Sequence, residues 1–245
     1  MKLVRDVRLA GWAGILTFFT IVIPVFITGH FPKFYPNFRD SNADMFAFVA
    51  NDSMAIQLQA LLAMTLPLYI WWAAGLRELL YVPGQTSILV RMVGWCQAAF
   101  VTLAFLSYAF WVAPAIRAAL NPNPINVEIT SAFLYGSAIV YFDLFPVMAL
   151  TLLGTGLAIL RTKVFPRWLG ISALVLAVPT ALWSQTALPT LLPTGSAEPF
   201  SLLNMAPFVL YLLWVPLTGY FMARWKPPQP PTTTQTPQAL HLGST

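Results

Sequence analysis

Charged residues are scarce in this chain. Asp, Glu, Lys and Arg make up 9% of its 245 residues, whereas 58% of the residues are hydrophobic. A soluble domain carries about 25% charged residues, so there are too few here to cover a surface exposed to water. The hydrophobic residues also stand in blocks longer than the strands of a soluble core. The composition therefore predicts an integral membrane protein, and the length suits a single helical bundle.

Residues that bind metals or act as nucleophiles are also few. Cys96 is the only cysteine, which excludes an intrachain disulfide and a cysteine-based metal site. The chain has two histidines, too few for a convincing metal site of any other kind. It contains no paired-acid prenyl-diphosphate motif, no G-x-S-x-G elbow and no phosphate-binding loop. We therefore expect no metal and no cofactor, and a non-enzymatic protein is favoured over an enzyme.

Six blocks of the sequence are long enough to cross a membrane. A bilayer core of about 30 Å needs roughly 20 apolar residues in a helix that rises about 1.5 Å per residue. The block at 129–160 exceeds one crossing, so we place its crossing at 141–160 and interpret 129–140 as a helical extension or an interfacial segment. The sequence thus predicts an all-α bundle of six transmembrane helices, at 9–29, 54–76, 92–113, 141–160, 166–183 and 205–223.

Basic residues flank these spans unevenly. Lys33, Arg39 and Arg117 fall on one side of the membrane, and all other Lys and Arg residues fall on the side of the N-terminus. Loops rich in Lys and Arg stay in the cytoplasm, so both termini are predicted to be cytoplasmic. A seventh span would move several of these residues to the outer side, and we reject it. The residues predicted to be cytoplasmic are Lys2, Arg5, Arg8, Arg77, Arg91, Arg161, Lys163, Arg167, Arg224 and Lys226.

Two segments lie outside the predicted spans. The loop at 30–53 is rich in aromatic residues, which predicts that it lies on the membrane surface or caps the bundle. The segment 227–245 is rich in Pro, Thr and Gln, so we expect a disordered cytoplasmic tail. The chain is therefore divided into a membrane domain, 1–226, and this tail.

Small residues predict where the helices pack, because they let two backbones approach closely within lipid. They recur at helical spacing in three spans, as Ala10 with Gly14, Gly154 with Ala158, and Ala173 with Ala177 and Ala181. Interior prolines stand at Pro24, Pro67, Pro146, Pro179 and Pro216. Such prolines are either ordinary for membrane helices or mark a kinked bundle that encloses a cavity.

Asp143 is the one acidic residue inside a predicted span. Charges within a membrane are costly and are candidates for function. Asp143 lies about 27 Å along the helix from Arg161, near the outer edge of the membrane. Either it is a structural cap that bonds Tyr108 or Tyr141, or it binds a ligand or a proton at the base of an outward-facing vestibule. The candidate ligand-binding residues are Asp143, Tyr108, Tyr141, Gln57, Ser184 and Gln185.

One stretch of the sequence resembles a known family. It reads Arg-Thr-Lys-Val-Phe-Pro-Arg-Trp-Leu-Gly at 161–170, and Gly-Trp-Ala-Gly stands at 11–14. Both are similar to segments of a family of six-helix bacterial integral membrane proteins of unknown function, common in actinobacteria. The resemblance implies six helices in a bacterial cytoplasmic membrane and implies no reaction.

The sequence leaves three hypotheses for function. The first is a membrane protein that binds an apolar or amphipathic ligand, or a partner in the membrane, through an outward-facing pocket. The second is a small proton-coupled transporter that uses Asp143. The third is an intramembrane enzyme that modifies lipids. Expected partners are membrane lipids and either a membrane protein or a second copy of the chain, and no nucleic acid is expected.

Overall fold

The chain folds into seven α-helices over the residues that the structure describes. This computed structural model describes residues 2–27, 41–51, 53–120, 124–187 and 202–227. These ranges contain no β-strand, which confirms the predicted all-α class. The helices are α1 (Lys2–Ile27), α2 (Asn42–Asn51), α3 (Ser53–Leu80), α4 (Ser87–Leu120), α5 (Pro124–Thr162), α6 (Arg167–Ala187) and α7 (Leu202–Ala223).

Three of these helices contain a segment long and apolar enough to cross a membrane. The segments are Ser87–Phe110, Val127–Thr162 and Ala206–Ala223, and α6 has a shorter apolar stretch, Arg167–Leu182. They indicate a membrane protein. The predicted spans 9–29 and 54–76 fall on α1 and α3, and both lie partly outside the residues whose side chains are described. The number of spans therefore stays a prediction. The predicted tail lies outside the described residues, except for Pro227.

The predicted loop at 30–53 contains the short helix α2. Its start is capped by Ser41, whose Oγ accepts a hydrogen bond from the Asp44 backbone N–H at 3.2 Å and donates one to the Asp44 carboxylate at 2.6 Å. Met45 and Phe46 are buried, and the helix contacts α4 and α5. This part of the loop therefore packs on the bundle. Residues 30–40 and 52 of the loop lie outside the described residues.

Helix α5 is continuous, so the segment 129–140 is a helical extension, as one of the two sequence interpretations had it. The helix ends at Thr162, and Lys163 follows with a φ of 54°, a left-handed conformation that turns the chain. Pro166 precedes α6 and accepts a hydrogen bond from the Leu169 N–H at 3.0 Å. This short turn folds α6 back along α5.

The long helices pack in an antiparallel order. Helix α1 lies between α3 and α7, and α5 lies between α4 and α6. Ser107 of α4 and Ser137 of α5 bond each other through hydroxyls and carbonyls at 3.0 to 3.2 Å. Trp72 of α3 donates from its indole N–H to the Thr218 hydroxyl of α7 at 3.1 Å. These polar contacts fix the helices relative to one another.

The small residues lie mostly at helix contacts. Ala10 and Ala158 are buried, as are Ala173 and Ala177, whereas Ala181 is exposed. The predicted stripe on α6 is therefore wrong at its last position. The remaining small positions also face neighbours, since Gly14 lies against Trp72 and Gly154 lies against Met92 and Val93. Helices α3, α5, α6 and α7 contain the interior prolines Pro67, Pro146, Pro179, Pro207 and Pro216.

Basic residues gather at one end of the bundle, which we call the basic end. The start of α1 meets the chain after α7 there, because Arg8 donates a hydrogen bond to the Trp225 carbonyl at 3.2 Å. The end of α5 meets the turn between α3 and α4, where Arg161 donates to the Gln85 carbonyl at 3.2 Å. The described basic residues of these segments are Arg5, Arg8, Arg77, Arg91, Arg161, Lys163, Arg167, Arg224 and Lys226.

Candidate functional site

A small cavity lies at the centre of the bundle, and we call it the central cavity. It has a volume of about 50 Å³ and is lined by side chains of α1, α3, α4, α5 and α7. Its described lining contains no charged side chain. The lining residues are Thr17, Thr65, Leu66, Tyr69, Phe100, Ala104, Ser107, Tyr108, Tyr141, Leu144, Phe208, Tyr211 and Leu212.

Two buried tyrosines form one wall of this cavity. The hydroxyls of Tyr69 on α3 and Tyr211 on α7 are 2.5 Å apart and share a hydrogen bond. Phe100 of α4 packs against both rings, with centroid distances of 5.0 Å to Tyr69 and 5.9 Å to Tyr211. Aromatic pairs at this spacing stabilise a packed core beyond simple burial. The two hydroxyls are thus held in a rigid aromatic wall.

Hydroxyl groups from two other helices reach the same cavity. Thr17 of α1 is buried and donates to the Ala13 carbonyl at 2.8 Å. Ser107 of α4 is buried and bonds Ser137 of α5. Because each hydroxyl oxygen can also accept a hydrogen bond, these groups can bind a polar group that enters the cavity. The site therefore suits a neutral molecule with an apolar body and a few polar atoms.

The cavity lies away from the basic end. Tyr69 precedes Arg77 by two helical turns, which places it about 12 Å deeper in the bundle. Tyr108, Tyr141 and Phe208 lie farther from the basic end along their own helices than Phe100, Leu144 and Tyr211. Tyr141 and Phe208 pack edge to face, with ring centroids 5.6 Å apart. These three aromatic side chains form the lining on the side opposite the basic end.

The structure places the predicted site residues in different surroundings. Tyr108 and Tyr141 are half-buried, and both line the central cavity. Asp143 is exposed on α5 and is not among the residues that line the cavity. It shares this face with the exposed residues Ile139 and Leu150. The side chains of Gln57, Ser184 and Gln185 lie outside the described residues.

Sequence reasoning missed the tyrosine pair. Tyr69 and Tyr211 stand inside apolar spans, where an aromatic residue is ordinary, and nothing in the sequence pairs them across 142 positions. A weak signal existed in Thr65 and Tyr69, which are one helical turn apart and put two hydroxyls on one face of α3. Among the described residues, no group of three or more His, Cys, Asp or Glu side chains is arranged to bind a metal.

The position of Asp143 leads to a first prediction. Replacement of Asp143 by Asn is expected to change the free energy of unfolding by less than about 0.5 kcal/mol, as for other exposed sites away from packed contacts. The neighbouring Phe142 is 1% exposed, so Phe142→Ala is the matched variant and should cost about 3–5 kcal/mol. Titration of the detergent-solubilised protein with sodium dodecyl sulfate measures both. A large loss in Asp143→Asn would show that this carboxylate is a structural cap.

Comparison with known proteins finds no matching family model, no similar curated protein and no similar solved structure, so the function has to be inferred from the geometry of the cavity.

Proposed function

We propose that this protein is a multi-pass protein of a bacterial cytoplasmic membrane, with six spans and both termini in the cytoplasm. In this arrangement α1 and α3 to α7 cross the bilayer, and α2 packs at the outer end. The basic end supports the orientation, because Lys and Arg concentrate on the cytoplasmic side of membrane proteins. The resemblance at 161–170 supports the number of spans and the bacterial membrane.

In this membrane the protein binds a small neutral molecule, apolar or amphipathic, in the central cavity. The observation that carries this proposal is the cavity itself, with aromatic walls and hydroxyls contributed by separate helices. Its lining on the side opposite the basic end consists of Tyr108, Tyr141 and Phe208, which makes it an outward-facing pocket in the proposed topology. Apolar walls with a few convergent polar groups are typical of small-molecule sites.

The volume of the central cavity limits the size of the group that can enter it. A water molecule needs about 10–15 Å³ measured in the same way, so 50 Å³ accommodates only a few non-hydrogen atoms. The polar end of an amphipathic ligand fits between the Tyr69–Tyr211 pair and Ser107. The remainder of the ligand lies along Tyr108 and Phe208.

Filling the cavity tests this function. Ala104 is 4% exposed and lines the cavity, so the ring in Ala104→Phe takes up the space of the ligand. Wild-type protein extracted into mild detergent is expected to retain a small molecule that denaturing mass spectrometry detects. The Ala104→Phe variant should retain at least about tenfold less, a loss of about 1.4 kcal/mol in binding.

Ala109→Phe is the matched control, because Ala109 is exposed on the same helix and the new ring points away from the cavity. It should retain the molecule at the wild-type level. The unfolding transition of each variant shows whether it is folded. The proposal fails if folded Ala104→Phe retains as much as Ala109→Phe, or if the wild-type protein retains no such molecule.

A further inference from the structure

A second and larger recess lies on the outside of the bundle, between α3 and α4, and we call it the lateral groove. Its volume is about 370 Å³, within the range of sites that bind small molecules. Alanine and glycine make up four of its lining positions, which is why the two helices leave space there. Its lining residues are Tyr69, Ile70, Ala73, Ala74, Arg77, Gly94, Gln97, Ala98, Val101 and Thr102.

One wall of the lateral groove carries a buried amide with no partner. Gln97 is 4% exposed, and neither its Nε2 nor its Oε1 makes a hydrogen bond in the part of the chain that the structure describes. Buried polar groups are nearly always hydrogen-bonded, so an exception needs an explanation. Because both atoms are buried, the Gln97 side chain has to turn toward the groove before a ligand there can accept from Nε2 or donate to Oε1 and satisfy this amide.

A positive charge lies at one end of the same groove. Arg77 is exposed at the basic end of α3, and its guanidinium lies over Gly94 of α4. Gln97 follows Gly94 by three residues, so its amide is about 4.5 Å deeper along α4. A ligand that satisfies both groups therefore has an anionic group at the membrane surface and a polar group a few bonds farther in.

The open side of the groove faces away from the helical core. Ile70, Ala74, Ala98 and Thr102 are exposed along its rim. In a membrane this side meets lipid chains. Tyr69 separates the groove from the central cavity, since it lines both. The lateral groove is thus a separate site with a different opening and a charged end.

We propose that the lateral groove binds one anionic phospholipid from the leaflet at the basic end. The phosphate pairs with the guanidinium of Arg77, a strong charge-assisted contact. The ester carbonyl of the glycerol backbone lies a few bonds from the phosphate and accepts a hydrogen bond from Gln97 Nε2. One acyl chain then lies against Ile70, Ala73 and Val101. This site is independent of the ligand proposed for the central cavity.

Lipid binding to the purified protein tests this site. Delipidated protein in detergent is titrated with phosphatidylglycerol or phosphatidylcholine, and bound lipid is counted by native mass spectrometry. Wild-type protein should bind one phosphatidylglycerol about fivefold more tightly than phosphatidylcholine, as expected for one arginine at a membrane surface. Arg77→Gln should remove this preference. Gln97→Leu should weaken both lipids about threefold, as expected for one lost hydrogen bond.

Arg91→Gln is the matched control, because Arg91 is exposed at the same end of α4 and does not line the groove. It should bind like the wild type. Gln97→Leu removes an unpartnered amide and leaves the fold intact, so its result does not depend on loss of structure. Equal losses in Arg77→Gln and Arg91→Gln would overturn the proposal, since the affinity would then come from the basic end in general. Equal wild-type affinity for the two lipids would overturn it as well.

Discussion

Replacement of Trp72 by alanine is expected to destabilise the protein by about 3–5 kcal/mol, as for large aromatic side chains lost from a packed core. Trp72 is fully buried where α1, α3 and α7 meet. Its ring packs edge to face on Trp214 at 6.3 Å and against Tyr69 at 5.2 Å, and it lies over Gly14 of α1. Its removal would leave a cavity between three helices and would take away the indole N–H that donates to the Thr218 hydroxyl.

The neighbouring tryptophan provides the control. Trp71 is 48% exposed and points away from this contact, so Trp71→Ala should change stability by less than about 1 kcal/mol. Titration with sodium dodecyl sulfate, followed by far-ultraviolet circular dichroism, gives the free energy of unfolding of each variant. Similar losses in the two variants would contradict this packing, because Trp72 is buried between the three helices and Trp71 is exposed.

The second large loss of stability is expected from a substitution at the point where the backbones of two helices touch. Gly11 of α1 and Gly219 of α7 face each other, and a Cβ on residue 219 would lie 2.6 Å from the Gly11 carbonyl oxygen and 3.2 Å from the Ile15 nitrogen. Both are backbone atoms, which cannot turn aside as a side chain can. Gly219→Ala should therefore force α1 and α7 apart and cost about 1–3 kcal/mol, as overpacking does.

A glycine on α5 gives the opposite expectation. A Cβ on residue 136 would lie 3.4 Å from the ring of Phe110, an ordinary contact. Gly136→Ala should therefore stabilise the protein by up to about 1 kcal/mol, because alanine favours a helix more than glycine. The same titration measures both variants. A gain in Gly219→Ala would show that α1 and α7 do not approach as closely as the structure has them.

Part of the candidate site was predictable from single helices. Tyr108 and Tyr141 are predicted to lie near Asp143, because residue counting along a helix gives the depth of each residue in its span. Both line the central cavity. Counting also places Asp143, two residues after Tyr141, about 200° around the helix, but it does not show which of the two faces the cavity. In the structure Tyr141 lines the cavity and Asp143 is exposed on the outside of the bundle.

Neither the central cavity nor the lateral groove could be predicted from the sequence, because each is formed by more than one helix. Arg77 and Gln97 belong to different helices, and so do Tyr69 and Tyr211. Nothing in the sequence pairs them, because hydrophobic blocks of similar composition can pack in many orders within lipid. Part of the predicted loop is helix α2 in the structure. Ser41 and Asp44 cap this helix, whereas the prediction of a loop considered only its aromatic composition.

The sequence by itself determined the helical class, the apolar character of the long helices and the positions of the Lys and Arg residues that form the basic end. These properties depend on the length of a hydrophobic block and on the residues at its ends, which are local. The tertiary structure alone decided which helices are neighbours, which hydroxyls share a cavity and that Gln97 finds no partner among the described residues. These properties depend on side-chain shape at helix contacts, where small residues such as Gly11 and Gly219 set how closely two backbones approach.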